Sequence, residues 1–265
     1  MENSSFIAFD NQIEGLIFDD SNHSQYPIRY YNVINGKGVT IRNNCSYFGY
    51  VYSGIVMLEY AGRPAQFLMD GMYFNSIGEF TINAIGCDSK MVLIEVYHES
   101  KEYAKTKFKS LYSVGGPLEN TGRLKYIDGC TDTLLISPVK MGDPCLNHLH
   151  FPENIDQTQH THPSHRIGVV TNGYGRCLTP FGDMPLTKGM IFVIKEWDGV
   201  TFSKGLDGAM YPNGQHAFET RDSTMDVVAF HPDSDFGATD INHPMINRTI
   251  VGEVSANQLK DIQTK

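Results

Sequence analysis

Short apolar segments separated by glycine-bearing turns make up most of the chain. Valine, isoleucine, phenylalanine and tyrosine dominate these segments, and such runs are typical of strands rather than long helices. The pattern therefore predicts many short antiparallel strands, arranged as a sandwich or a barrel. Helix is expected only around residues 100–113 and in the polar tail, residues 255–265.

The two halves of the chain show the same landmarks in the same order. Val51–Phe74 aligns with Val170–Phe192 over nearly the same length. In each copy a strand is predicted to end at a glycine, Gly54 or Gly173, before a hairpin and a second turn. The turns contain Ala61-Gly62 and Gly71-Met72 in the first copy, and Phe181-Gly182 and Gly189-Met190 in the second. Two copies of one strand arrangement indicate a tandem duplication, with residues 101–125 as the connection.

Length and composition place the chain among soluble globular proteins. Its 265 residues suffice for one large domain or two small ones, and 41% hydrophobic with 19% charged residues excludes a disordered chain. The formal net charge is -9, and no run of lysine and arginine could follow a phosphate backbone, so we expect no nucleic acid partner. The N-terminus lacks a signal-peptide pattern and no apolar run approaches the ~20 residues that span a bilayer, which predicts a cytoplasmic protein without membrane contact. The five cysteines have no CxxC spacing, so neither a disulfide framework nor a thiolate zinc site is indicated.

Three of the ten histidines lie close together, at positions 160, 162 and 165. Residues two apart on a strand point to the same face, about 6.6 Å apart along the chain. The imidazoles of His160 and His162 can therefore lean onto one ion, as binding through nitrogen at roughly 2.0–2.1 Å requires. Several buried imidazoles without a metal would carry a heavy desolvation cost, which favours a ligand set over packed core residues.

The motif order in the second half resembles that of the cupin superfamily. A strand with His160-Thr161-His162 is followed about a dozen residues later by Gly173, then by a hairpin and by Pro212-Asn213-Gly214-Gln215-His216. The resemblance covers nearly the whole chain and implies an all-β bicupin, two tandem RmlC-like jelly-roll antiparallel β-barrels. Residues 1–112 would form the first barrel and residues 113–265 the second, which carries the metal motif.

The resemblance implies that His216 meets the His160–His162 pair across the second barrel and that the three hold one metal ion. Neutral imidazoles favour a divalent transition metal; we favour Fe(II), with Zn(II), Ni(II), Cu(II) or Mn(II) as alternatives. The usual cupin motif adds a glutamate, but Arg166 stands at that position here, and arginine does not lose its proton to become a ligand. Two arrangements stay open: a three-histidine site, which we favour, or one in which His165 is a fourth ligand.

The corresponding positions in the first half contain no strong ligand. The counterparts of His160, His162 and His216 are Ile41, Asn43 and Asn83. We therefore expect the first barrel to be free of metal and to serve as a structural or dimerising partner.

Further residues are candidates for roles around the ion. Arg166 would either orient a substrate anion or form an internal salt bridge. His150 and His165 could transfer protons at the pocket mouth, although His150, with His148, could equally be an ordinary strand residue. Residues 229–249 read as a long polar loop that closes the pocket or forms a subunit contact.

These features favour a metal-dependent oxidoreductase of dioxygenase type acting on a small carboxylate- or enol-bearing substrate. A non-redox isomerase or lyase is the first alternative, and a small-molecule-binding cupin without catalytic activity is the second, because one fold hosts many chemistries. The expected partners are a small-molecule substrate and a second copy of the chain, since open barrel edges tend to be covered in a homodimer.

Overall fold

A computed structural model describes residues 1–78, 80–97, 112–138, 141–234, 250–251, 253–255 and 258–259. Strands dominate these ranges, and the helical element among the named elements is a short 3-10 turn at Ile127–Gly129. The helices predicted around residues 100–113 and 255–265 lie, for most of their length, outside the described residues, as do residues 235–249 of the long loop. No helix of the described part is long and apolar enough to cross a membrane.

The strands of the described residues are numbered in chain order. Those of the first half are β1 (Phe6–Phe9), β2 (Gly15–Asp20), β3 (Ile28–Ile34), β4 (Cys45–Tyr60), β5 (Gln66–Met69), β6 (Tyr73–Ile77), β7 (Phe80–Tyr97) and β8 (Ser113–Gly115). The second half contains β9 (Leu124–Lys125), β10 (Thr131–Ile136), β11 (Cys145–Phe151), β12 (Arg166–Leu178), β13 (Met184–Thr187), β14 (Ile191–Ile194), β15 (Phe202–Lys204), β16 (Met210–Pro212), β17 (Ala217–Glu219), β18 (Met225–His231), β19 (Ile250–Val251) and β20 (Val254–Ser255).

Two antiparallel sheets organise the molecule, which confirms the predicted all-β class. The first has the order β2-β3-β7-β4-β6-β8, with β5 on β4. The second has the order β1-β14-β12-β18-β11-β10-β9, with β13 and β17 on β12. Two small hairpins, β15-β16 and β19-β20, stand apart from them.

Each sheet contains one strand from the other side of the predicted domain boundary at residue 112. Strand β1 pairs with β14 of the second sheet, with Phe6 opposite Ile194. Strand β8, just beyond the boundary, pairs with β6 of the first sheet. The division of the chain into two separate barrels stays a prediction.

The long strands β4 and β12 pass through the glycines at which they were predicted to end. Gly54 and Gly173 have φ values of 73° and 66°, and the register of each strand shifts beside its glycine. A positive φ bends a strand without ending it, as at a β-bulge. The bend lets β12 pair with β14 in its first part and with β13 and β17 in its second.

Three apolar clusters form the core. One lies within the first sheet and includes Tyr47 and Phe74, and one lies within the second sheet and includes Phe151 and Phe192. The third draws residues from both sheets and so joins the two halves. Burial of these side chains is the main stabilising contribution, because it removes apolar area from water.

A buried tyrosine adds a polar bond to the contact between the sheets. Tyr30 is 0% exposed, and its hydroxyl donates to the backbone oxygen of Gly168, 3.1 Å away. We expect Tyr30→Phe to lower the free energy of unfolding by about 1 kcal/mol, because the ring stays packed while the hydrogen bond is lost. Urea denaturation checks this, with Tyr112→Phe at an exposed position as a control expected to change less than about 0.5 kcal/mol. Equal effects in the two variants would contradict the role of the hydroxyl.

Candidate metal centre

Two short backbone segments bring the three motif histidines together. His160 and His216 form an isolated antiparallel bridge, in which each backbone nitrogen donates to the other residue's oxygen at 2.9 and 3.0 Å. The predicted His160–His162 strand is therefore a single bridge at His160, and residues 161 and 162 belong to no strand. The turn before His216 needs Gly214, whose φ is 76° and whose missing Cβ would collide with the backbone oxygen of Lys195.

The three rings form a compact group. Their centroids are 5.0 Å apart for His160 and His162, 4.4 Å for His160 and His216, and 5.2 Å for His162 and His216. One ring nitrogen from each lies within 4.8 Å of those of the other two. Nitrogens bound to one ion at 2.0–2.1 Å lie no more than about 4.2 Å apart, so small ring rotations would suffice for joint coordination.

Backbone carbonyls fix the protonation of two of these rings. Nδ1 of His160 donates to the oxygen of Thr158 at 2.7 Å, and Nδ1 of His216 donates to the oxygen of Gly214 at 2.8 Å. A carbonyl only accepts hydrogen bonds, so Nδ1 carries the proton and Nε2 keeps a lone pair. Nε2 of His216 is buried and has no hydrogen-bond partner among the described residues. An unsatisfied buried lone pair of this kind is what a metal ligand presents before it binds.

Burial keeps all three imidazoles uncharged. It lowers the pKa of His216 to about 3, with the neighbouring His160 as a further cause. It also lowers the pKa of His160, and it holds the pKa of His162 far below its usual range, helped by the positive charge of Arg166. Neutral imidazole is the form that binds metal, so the donor set of this structure fits a divalent transition ion.

The histidines face an enclosed and narrow cavity inside the second sheet. Its volume is about 20 Å³, room for an ion or about one water molecule. Its walls are mainly apolar, with Leu149 and Phe192 among them, and its other polar side chains are Tyr126, Gln157, Arg166 and His231.

Arg166 lines this cavity and takes part in an internal salt bridge. Its Nη1 lies 2.9 Å from Oδ1 of Asp233 and donates to the hydroxyl of Ser164. The sequence left two roles open for Arg166, and the structure contains the internal salt bridge. Nε of Arg166 is buried and has no partner among the described residues, which leaves one donor of the guanidinium for a ligand.

His165 does not join the group. Its Nδ1 accepts a hydrogen bond from the backbone nitrogen of Glu196 at 2.9 Å, and its Nε2 lies 3.1 Å from Oδ2 of Asp20. Its ring meets that of Phe18 edge to face, at a centroid distance of 5.4 Å. The turn after His162 directs His165 towards the first-half strand β2, where both of its ring nitrogens are engaged.

His150 lies on the other side of the sheet from the cavity. Side chains alternate along a strand, and on β11 the cavity is lined by Leu149 and Phe151. His148 and His150 face the opposite way, where both bind Oδ1 of Asp226, at 3.1 and 2.7 Å. The structure thus does not bring His150 to the mouth of this cavity.

Three polar cavity residues, Tyr126, Gln157 and His231, were not assigned to the site from the sequence. His231 lines the cavity with Val227 and Ala229 of the same strand, and its Nδ1 lies 3.3 Å from the side-chain nitrogen of Asn147. The alternation of side chains along β18 could have identified His231, because residues 227, 229 and 231 share a face. Tyr126 lies in an irregular segment before the 3-10 turn, where no periodic pattern marks it.

The corresponding region of the first half is built differently. Asn83 donates to Oε2 of Glu59 at 2.6 Å, and Ile41 packs against the apolar cluster of the first sheet. Among the described residues, the group at positions 160, 162 and 216 is the one in which three ligand atoms approach one another.

A cupin protein is among the known structures with a similar fold. No family model matches the sequence, and no curated protein matches it. The cupin 2 conserved barrel domain protein from Leptotrichia buccalis superimposes with a TM-score of 0.52 at 11% identity, over 88% of this chain and 91% of that one. Protein Ylba from E. coli gives 0.57 at 13% identity, over 88% and 93%. Salicylate 1,2-dioxygenase from Pseudaminobacter salicylatoxidans gives 0.52 at 10% identity, over 77% and 71%.

At these identities the likeness concerns the fold alone. The chain has the all-β cupin jelly-roll fold, and its histidine triad could hold a divalent metal.

Proposed function

We propose that this chain is a bicupin, two tandem cupin barrels, and a mononuclear metal-dependent enzyme of dioxygenase type. One observation carries the proposal: three uncharged imidazoles converge in an enclosed cavity, and the buried Nε2 of His216 has no partner among the described residues. The likeness of the fold to salicylate 1,2-dioxygenase is compatible with this class of activity. The substrate would be a small molecule with a carboxylate or an enol.

His160, His162 and His216 would hold the ion through one nitrogen each. Neutral imidazoles suit Fe(II), which we favour, and also Zn(II), Ni(II), Cu(II) and Mn(II). When bound, iron would supply the activation of dioxygen and of the substrate, because three protein ligands leave coordination positions open.

The other side chains of the cavity would bind and orient the substrate. The free Nε donor of Arg166 supplies positive charge for a carboxylate or enolate oxygen, while Asp233 holds the guanidinium in place. The phenol of Tyr126 lines the same space and can donate a hydrogen bond to the substrate. Apolar walls at Leu149 and Phe192 exclude water and so strengthen these polar contacts.

Metal analysis combined with oxygen uptake tests this function. Protein purified without chelators is expected to contain iron and to consume oxygen when salicylate, gentisate, catechol or a small keto acid is added. Removal of the iron should abolish the uptake, and Fe(II) should restore it while Zn(II) should not. Bound zinc without oxygen uptake on any of these compounds would contradict the dioxygenase and favour the isomerase or lyase alternative.

A further inference from the structure

A second polar groove lies behind the histidine cavity, where the two sheets meet. Leu149 and Phe151 of β11 point into the cavity, whereas His148 and His150 line the groove on the opposite face. The volume of the groove is about 500 Å³, within the range of small-molecule sites. It is therefore a separate space with its own set of side chains.

One carboxylate organises the wall that the second sheet contributes. Asp226 is 8% exposed, and its Oδ1 accepts hydrogen bonds from Nδ1 of His150 at 2.7 Å and from Nε2 of His148 at 3.1 Å. Its Oδ2 accepts a bond from the side-chain nitrogen of Asn172 at 3.2 Å. Burial alone would raise the pKa of Asp226, but the bonds from these three side chains lower it on balance. Asp226 is thus ionised, and both of its carboxylate oxygens accept hydrogen bonds. Its role is to fix the positions of His148, His150 and Asn172.

The bond to Asp226 sets the direction of the His150 ring. Because Nδ1 donates to a carboxylate, Nε2 of neutral His150 keeps its lone pair, and no described residue forms a hydrogen bond to it. His148 is 1% exposed, and its Nδ1 also has no partner among the described residues. Two imidazoles in the groove wall therefore have polar capacity that the described protein leaves unused.

The side chains of the groove favour neither an anion nor a metal ion. Asp70 and Lys188 are exposed at its rim. Glu119 also lines the groove, and its carboxylate is paired with Arg123, which does not. Positive charge is not in excess, so an anion is not favoured. A metal ion is not favoured either, because among the described residues three ligand atoms come within 4.8 Å of one another only in the other cavity.

Hydroxyl groups fit this mixture of donors and acceptors, since each hydroxyl can both donate and accept. We propose that the groove binds a neutral polyhydroxylated small molecule, a sugar or a polyol, through His150, Asp70 and Lys188. Nε2 of His150 and the carboxylate of Asp70 accept hydroxyl hydrogens, and the ammonium of Lys188 donates to a hydroxyl oxygen. Pro117 and Leu118 of the opposite wall supply apolar contact for the carbon skeleton.

Calorimetric titration with glucose, galactose, myo-inositol and mannitol tests the proposal. At least one of them is expected to bind the full chain with a dissociation constant below about 10 mM. Lys188→Ala should weaken that binding about tenfold or more, because a charged hydrogen-bond donor is lost. Lys204→Ala, at an exposed lysine that does not line the groove, is the matched control and should leave the binding unchanged. His150→Gln should weaken it by a similar factor.

Three outcomes would overturn the proposal. The first is that none of the four compounds binds, and the second is that Lys188→Ala and Lys204→Ala bind equally well. The third is loss of binding in His162→Ala, which would place the compound in the metal cavity instead. Because Lys188 is exposed, its variant stays informative even if His150→Gln fails to fold. Binding that persists in His162→Ala would leave the groove supported whatever the fate of the proposed enzyme activity.

Discussion

Replacing His162 with alanine is expected to remove the proposed metal and the proposed oxygen uptake while leaving the protein folded. His162 supplies one of the three ligand atoms, and no described residue forms a hydrogen bond to its ring, so the fold loses little when the ring is removed. Removing a residue that only hydrogen-bonds to a metal ligand already lowers metal affinity 10- to 100-fold. We therefore expect metal affinity to fall by at least about 100-fold, measured as metal per chain after desalting.

His165→Ala is the matched control for this experiment. Its imidazole is only three positions further along the chain, but its nitrogens contact Glu196 and Asp20 rather than the cavity. We expect His165→Ala to keep its metal and to lose about 1–2 kcal/mol of unfolding free energy with its hydrogen bond to Glu196 and its contact with Asp20. Full metal content in His162→Ala, or loss of metal in His165→Ala, would refute the ligand assignment.

Replacing Gly173 with alanine is expected to prevent stable folding of the second half. The residue has a φ of 66°, and a Cβ there would lie 1.8 Å from the backbone oxygen of Thr224, far inside contact distance. The backbone cannot yield without breaking the bend of β12, so we expect a loss of more than about 4 kcal/mol, a large share of a typical total stability of about 5–15 kcal/mol.

Gly62→Ala separates this collision from backbone strain. Gly62 has a nearly equal φ of 71°, but nothing lies within 4 Å of where its Cβ would be. Only the strain of the left-handed conformation applies there, about 1–2 kcal/mol. Thermal and urea unfolding of the two variants should therefore differ by several kcal/mol. Similar losses in both would show that the contact with Thr224 relaxes easily.

The fold and the three histidines could be predicted because short stretches of sequence contain recognisable patterns for them. The repeated glycines mark real positions of positive φ in both halves, at 54 and 173, 62 and 182, and 71 and 189. The spacing of His160 and His162, together with what the cupin resemblance implies for His216, also predicted which rings converge. In these cases the short-range pattern and the long-range arrangement agree, as expected of a sequence without local conflicts.

The roles of other residues depend on contacts with residues that are distant along the chain. The direction of His165 is decided by Asp20, which comes from the other half of the chain. The partner of Arg166 is 67 positions away, in a loop with no strand pattern. For His150, the alternation of β11 shows that it and Leu149 face apart, but not which face encloses the cavity. That choice is made by packing between the sheets, which sequence spacing does not reveal.

The pairing of β1 with β14 has a consequence for how the chain is made on the ribosome. Phe6 is synthesised before the whole first sheet, whereas its partner Ile194 follows only after that sheet. Strand β1 therefore stays without its partner until β14 has been synthesised, and pairing between such distant segments slows folding. A fragment that begins after β8 would have an uncovered backbone edge along β14, and uncovered edges promote self-association.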